Sequence, residues 1–209
     1  DVPGLQDALV TSLALAALAS LAATALGTLI ALALVRHRFR GRGPINFLIF
    51  LPMSAPEIVL GASLLTLFLN QTVLRLGFWT IFVAHVMFSI SFVVVTVRAR
   101  LVGFDRHLEE AAADLGADPW VTFRKVTLPL LAPAILAGAL LGFAISVDDF
   151  VITYFVSGST ITFPVFVWGQ AARGVPPQVN VIGSAIFFLA VGVMLANAIR
   201  QTRRGESRP

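Results

Sequence analysis

Apolar and polar positions fall in long alternating blocks along this chain, without the short period of an amphipathic strand. A bilayer hydrocarbon core about 30 Å thick is crossed by about 20 helical residues, and five blocks are long enough. Residues 8–35 form 28 positions without a charge, and residues 45–70 contain one acid, Glu57. Residues 78–97 are charge-free but include His85, and 129–147 are charge-free and run into Asp148 and Asp149. Residues 181–199 are charge-free and end at Arg200. The first block is not a signal peptide, because its apolar run is too long and its basic cluster follows it. Residues 162–174, TFPVFVWGQAARG, are apolar but too short to span, which predicts a short interfacial or re-entrant helix on the outer side.

The loops between the blocks set the orientation. With five spans, one side of the membrane receives 36–44, the region 98–128 and the tail from Arg200. That side holds 13 Lys and Arg residues, and the other holds only Arg75 and Arg173. This asymmetry places the basic side in the cytoplasm and the N-terminus of this chain outside. Composition agrees with a bilayer solvent: 57% of residues are hydrophobic and 12% charged, about half the charge of a typical soluble domain. Mean hydropathy is +0.89. The net charge of +4 does not imply nucleic acid, since the basic residues sit in short clusters between apolar runs. There is no Cys, which excludes disulfides, thiolate metal sites and cysteine nucleophiles.

One cytoplasmic passage concentrates charge. Residues 98–125 carry 10 of the 26 charged side chains. Asp105 is a candidate N-cap for a helix through RHLEEAAADL, with Leu108, Ala111, Ala112 and Leu115 on one apolar face and Glu109, Glu110 and Asp114 towards the polar side. Gly116 stands where a left-handed residue would end that helix. Asp118 and Pro119 then give a second N-cap and first-turn proline. The pattern predicts two short helices across the cytoplasmic membrane face, with Trp120 packing the second against it and Pro129 opening the next span. On shape alone, an ordinary connector between spans would look the same.

The spacing Glu110-Ala111-Ala112, Gly116, Val126-Thr127-Leu128-Pro129 resembles the EAA signature of permease subunits in ATP-binding-cassette importers, with Val126 in place of the more usual Ile. RHRFRGRG after the first block, PMSAPEIVLGASLL in the second, FVVVTVRARLVGFD after the third, SVDDFVITYFVSG and GVPPQVN extend the resemblance to the spermidine/putrescine permease group over nearly the whole chain. The resemblance implies an all-α integral membrane protein with the type I importer permease fold. Residues 1–209 would then be a single permease domain with five spans, a cytoplasmic coupling helix and a short outer helix. It further implies that Glu110, Ala111, Ala112 and Gly116, with Asp114 and Leu115 adjoining, contact an ATPase. The implied partners are a second permease subunit, two ATP-binding-cassette ATPases carrying ATP and Mg, and an extracytoplasmic solute-binding protein, in a bacterial cytoplasmic membrane. Full-length members usually have another span before the one at 8–35; its absence, with the lack of an initial Met, fits a chain missing an N-terminal piece and accounts for the outer N-terminus.

Candidate pathway residues follow from charge placement. Glu57 is the one acid well inside a block, and an ionised acid at mid-helix costs about 2.5–3.5 kcal/mol on insertion scales. It therefore faces either a solute path or a hydrogen-bonding helix contact, with Pro52, Pro56 and Gly61 predicting a kink beside it. Asp148 and Asp149 close the fourth span, where Phe143, Phe150, Tyr154 and Phe155 can add cation–π contacts. Adjacent helical residues point about 100° apart, so the pair is an acidic vestibule in which one member faces the path. His85 has no second ligand at metal spacing and reads as a hydrogen-bonded packing residue. Trp79 and Trp168 suit interfacial anchoring.

No zinc-protease or serine-hydrolase motif occurs, so no catalytic site or cofactor is expected in this chain, and without a P-loop an ATP-driven permease must borrow its motor. The expected function is ATP-driven, binding-protein-dependent import of polyamines. The alternatives are the same architecture for another small solute, or an autonomous secondary carrier or channel. The last would leave the coupling passage without a purpose.

Overall fold

The computed structural model describes residues 3–70 and 74–171, and single or short groups of positions between 177 and 192. All of its assigned elements are helical. Helix α1 spans Leu5–Arg36, α2 Arg42–Ser54, α3 Glu57–Asn70, α4 Phe78–Val102 and α5 His107–Asp114. Helix α6, Pro119–Thr122, passes through a π-turn at Phe123–Thr127 into α7, Leu128–Asp148; α8 is Val151–Val156 and α9 Phe163–Ala171. Three continuous rods, Leu5–Arg36, Phe78–Val102 and Pro119–Asp148, are long and apolar enough to cross a membrane. The block expected at 181–199 lies largely outside the described residues.

These rods, built on α1, α4 and α7, form the core, and small residues let them approach. Lipid tails are as apolar as leucine, so helices in a bilayer associate through close van der Waals fit. The buried face of α1 is a stripe of small side chains, Ser12, Ala16, Ala19, Ala23, Gly27 and Ala31. Helix α7 buries Gly138, Gly142 and Ser146 at four-residue spacing. Between them, α4 offers Val93, Val94 and Val97, each 0–1% exposed. Val93 is the key fit. A Cβ added at Gly27 would lie 2.8 Å from its Cβ, and one at Gly138 would lie 3.5 Å from its Cα. Ser20 adds a polar tie, donating from Oγ to the Ala139 carbonyl at 2.6 Å. Large side chains such as Val10, Leu21, Leu29, Leu136 and Leu140 point outward and are more than half exposed, as a lipid-facing surface should be.

The second apolar block is not one kinked span, as its sequence suggested. It is broken: α2 and α3 meet at 111°. Pro56 forces the residue before it out of the helical region, and Ala55 is extended at φ −81°, ψ 142°. The far arm is held by packing on α8, where the Phe155 ring occupies the space a Gly61 side chain would need, 2.5 Å from its ideal Cβ. The predicted short outer helix is α9. The Ser12 hydroxyl accepts a 2.7 Å bond from the Phe163 backbone N–H, and Phe166 packs with Leu5 and Ala8 of α1.

Gly27→Ala should destabilise the protein by about 1–3 kcal/mol through overpacking against Val93. Gly43→Ala, where no atom lies within 4 Å of the new Cβ, should be neutral. Thermal unfolding midpoints of the two variants in detergent check this.

Candidate functional site

The cytoplasmic passage is built by local capping. Asp105 Oδ1 accepts the His107 N–H at 3.0 Å, where α5 begins. Glu109 and Glu110 occupy the first turn, where the helix dipole favours anions. Gly116 ends the helix at φ +84°. The Gly116 N–H donates to Ala113 at 2.9 Å and the Ala117 N–H to Ala112 at 3.0 Å, the paired bonds of a Schellman cap that satisfy carbonyls a helix end leaves free. Asp118 Oδ1 then accepts the N–H groups of Trp120 and Val121 at 2.8 and 2.9 Å.

Beyond Asp118 the chain departs from the expected second short helix. Helix α6 runs on through the π-turn into α7 as one rod, Pro119–Asp148. Pro129 does not open a span; it sits inside a continuing helix. It has no N–H for the carbonyl four residues back, and its ring crowds that carbonyl. The wider turn just before it, in which the Leu128 N–H reaches the Phe123 carbonyl, takes up the misfit. Trp120 is 68% exposed and stacks on Phe123 at 5.9 Å.

Helix α5 is also turned over relative to its sequence reading. Leu108 is 46% and Leu115 90% exposed, while Glu109 faces inward. There Glu109 Oε1 accepts from Arg36 Nη2 at the end of α1 and from the Thr127 hydroxyl. Of the six residues expected to meet an ATPase, Glu110, Ala111, Asp114, Leu115 and Gly116 are exposed and Ala112 is half-buried. Glu110 pairs with His107 at 3.1 Å on the open surface. Sequence reasoning missed Arg36 and Thr127, because nothing in the sequence pairs positions 73 and 18 residues from Glu109.

The outer candidates separate into two environments. Glu57 lies beside the break in the second apolar block. It is exposed in the first turn of α3, just past the break. Asp148 and Asp149 point apart. Asp149 is buried, its side chain 7% exposed, with Oδ2 3.2 Å from His85 Nε2. The same oxygen accepts the Thr153 N–H and hydroxyl at 2.8 Å each. His85 also meets Thr153 Oγ1 at 2.9 Å and, through Nδ1, Ser146 Oγ at 2.6 Å. This cluster joins α4, α7 and α8 and repairs the interruption after Asp148. Asp148 is exposed and lines a cleft with Phe150, Pro164, Val167 and Trp168. The Phe150 ring lies 5.1 Å from Trp168 and 5.5 Å from Tyr154. Among the described residues no three His, Asp or Glu side chains gather closely enough to hold a metal.

The family of binding-protein-dependent transport system inner membrane components matches residues 9–202. The chain is 39% identical over 189 residues to the spermidine/putrescine transport system permease protein PotC of Escherichia coli K12, covering 90% of this chain and 71% of that one. It is 42% identical over 197 residues to the putrescine transport system permease protein PotI of the same strain, covering 91% and 70%. In structure it is similar to a chain of the MetNI methionine ABC transporter in an inward-facing conformation, with a TM-score of 0.74 at 18% identity, covering 98% and 96%. The chain belongs to the binding-protein-dependent inner membrane component family and has the type I importer permease fold. It is a multi-pass membrane transport subunit and not itself an enzyme.

Asp149→Ala should cost on the order of 1–3 kcal/mol by leaving His85 and Thr153 polar groups buried without their partner, whereas Asp148→Ala should leave stability within about 0.5 kcal/mol. Unfolding midpoints in detergent separate the two. Gly116→Val should cost about 1–2 kcal/mol at a left-handed position and reduce ATPase co-purification while the spans still insert.

Proposed function

We propose that this family member is one permease of a bacterial importer that moves polyamines such as spermidine and putrescine into the cytoplasm. It would enclose the solute path with a second permease, receive solute from an extracytoplasmic binding protein, and be driven by two ATPases that hold ATP and Mg. The observation that carries the importer reading is α5: a separately capped helix on the basic, cytoplasmic side with no buried residue. A helix left this bare is suited to a partner. Glu110, Ala111, Ala112, Asp114, Leu115 and Gly116 supply the contact: small side chains permit close approach, Leu115 gives an apolar anchor and the acids complement a basic groove.

The substrate follows from the named polyamine permeases at 39% and 42% identity and from the chemistry of the outer cleft. Asp148 is the acid exposed in that cleft, beside an aromatic group that includes Phe150, Tyr154 and Trp168. An alkyl diamine presents ammonium groups joined by methylenes, which suits a carboxylate with aromatic faces around it. Asp149 acts at one remove, fixing the turn that presents Asp148. Glu57 supplies a second negative group along the path, at a break whose freed backbone can line a cavity.

Uptake of labelled spermidine and putrescine should be ATP-dependent in cells with the complete transporter and lost on deletion of this gene. Unchanged uptake, in cells without another polyamine system, would remove the substrate assignment. Glu57→Gln and Asp148→Asn should each lower uptake with assembly intact, and wild-type kinetics in either would take that residue out of the path.

A further inference from the structure

Helix α5 stands off the membrane domain. It buries no residue, and clefts open on both sides of Glu109, one towards Leu101, Phe104 and Arg106 and the other towards Pro119, Thr122 and Phe123. Apart from its own chain connections, its side-chain hydrogen bonds to the span helices, among the described residues, all pass through Glu109. That carboxylate holds Arg36 and Thr127 together, and Arg36 Nη2 also lies 3.5 Å from Thr127 Oγ1. The partners are mounted on different rods. Arg36 ends α1, whose 32 residues reach about 48 Å, well past a hydrocarbon core of about 30 Å. Thr127 is fully buried and closes the π-turn, a feature common at functional sites in helices.

A force applied to α5 thus has two outlets. One is covalent, through Gly116 and Asp118 into the rod that becomes α7. The other is the Glu109 carboxylate, which reaches α1. The covalent outlet turns through Gly116 at φ +84° and leads to α7 alone, so it leaves α1 without a direct link. The ion pair is partly shielded, with side chains 30% and 22% exposed, and is short-ranged and directional.

We propose that Glu109, with Arg36 and Thr127, is the latch that passes movement of α5 to the cytoplasmic end of α1 and to the π-turn. It is a positioning residue for coupling, distinct from the exposed residues that meet the ATPase. This rests on the importer reading above. Without the latch the ATPase still docks and still turns over, but α1 no longer follows α5.

The test uses the complete transporter in liposomes, with the binding protein loaded with spermidine. Three quantities are read: ATPase retained on the purified permease, ATP hydrolysed, and labelled spermidine taken up. For Glu109→Ala and Arg36→Ala, ATPase retention and hydrolysis should persist while spermidine moved per ATP falls roughly tenfold, within the usual range of coupling between sites. The exchange of Arg36→Glu with Glu109→Arg should recover much of the ratio. Glu109→Gln, which keeps an acceptor for Thr127 and guards against a folding failure in the alanine variants, should give an intermediate loss. A wild-type ratio in all single variants would overturn the latch. So would loss of ATPase retention with hydrolysis and uptake falling together, since that is the signature of a docking residue. A wild-type complex whose hydrolysis ignores the loaded binding protein would instead remove the importer reading, and the latch with it.

Discussion

A bilayer offers no water to a broken helix, so each interruption of a span must be repaired by the protein itself. That constraint divides this molecule. Where the chain needs rigidity, it uses unbroken rods whose backbones are satisfied internally and whose contact faces are small enough to pack. Val93 seated against Gly27 and Gly138 is the centre of that arrangement. Where the rods are interrupted, polar side chains or neighbouring elements take over. The bend at Ala55 and Pro56 is held by α3 packing on α8, and the interruption after Asp148 is bridged by His85, Asp149, Ser146 and Thr153. Both breaks bear on the same neighbourhood, because α8 takes part in each.

The two adjacent acids show how the repair creates a site. Asp149 is consumed by the structure: its Oδ2 meets His85 Nε2 and the Thr153 backbone and hydroxyl. With Asp149 turned inward, Asp148 is left outside, in the cleft that holds Phe150 and Trp168. One carboxylate sets the turn, and the other is presented by it. The cytoplasmic end shows a similar division. Glu109 is turned inward to Arg36 and Thr127, while Glu110 stays on the open surface.

Much of this architecture was legible in the sequence. The long apolar blocks, the basic loops, the caps at Asp118 and Gly116 and the short helix at 163–171 all depend on neighbours in the chain, and local rules find them. The EAA spacing was legible for the same reason and led to the family. The failures share a cause. Apolar periodicity assigns the face of α5 on the assumption that apolar residues point inward; Leu115 instead points away, because an inward Glu109 has a buried partner. Pro129 reads as a start signal, but a start signal has no force where the helix is already running.

By itself the sequence determined that the chain is helical, that it lives in a bilayer, where its charge gathers between the apolar blocks, and where the short helix after Asp105 begins and ends. These follow from hydropathy, charge and capping, which act over a few residues or across the bilayer as a whole. Only the tertiary structure decided which of two neighbouring acids is exposed, that a kink is a 111° break, and that Arg36 meets Glu109. Those outcomes depend on the angle at which one rod meets another. That angle is set by close packing between residues far apart in the chain, to which no local pattern is sensitive.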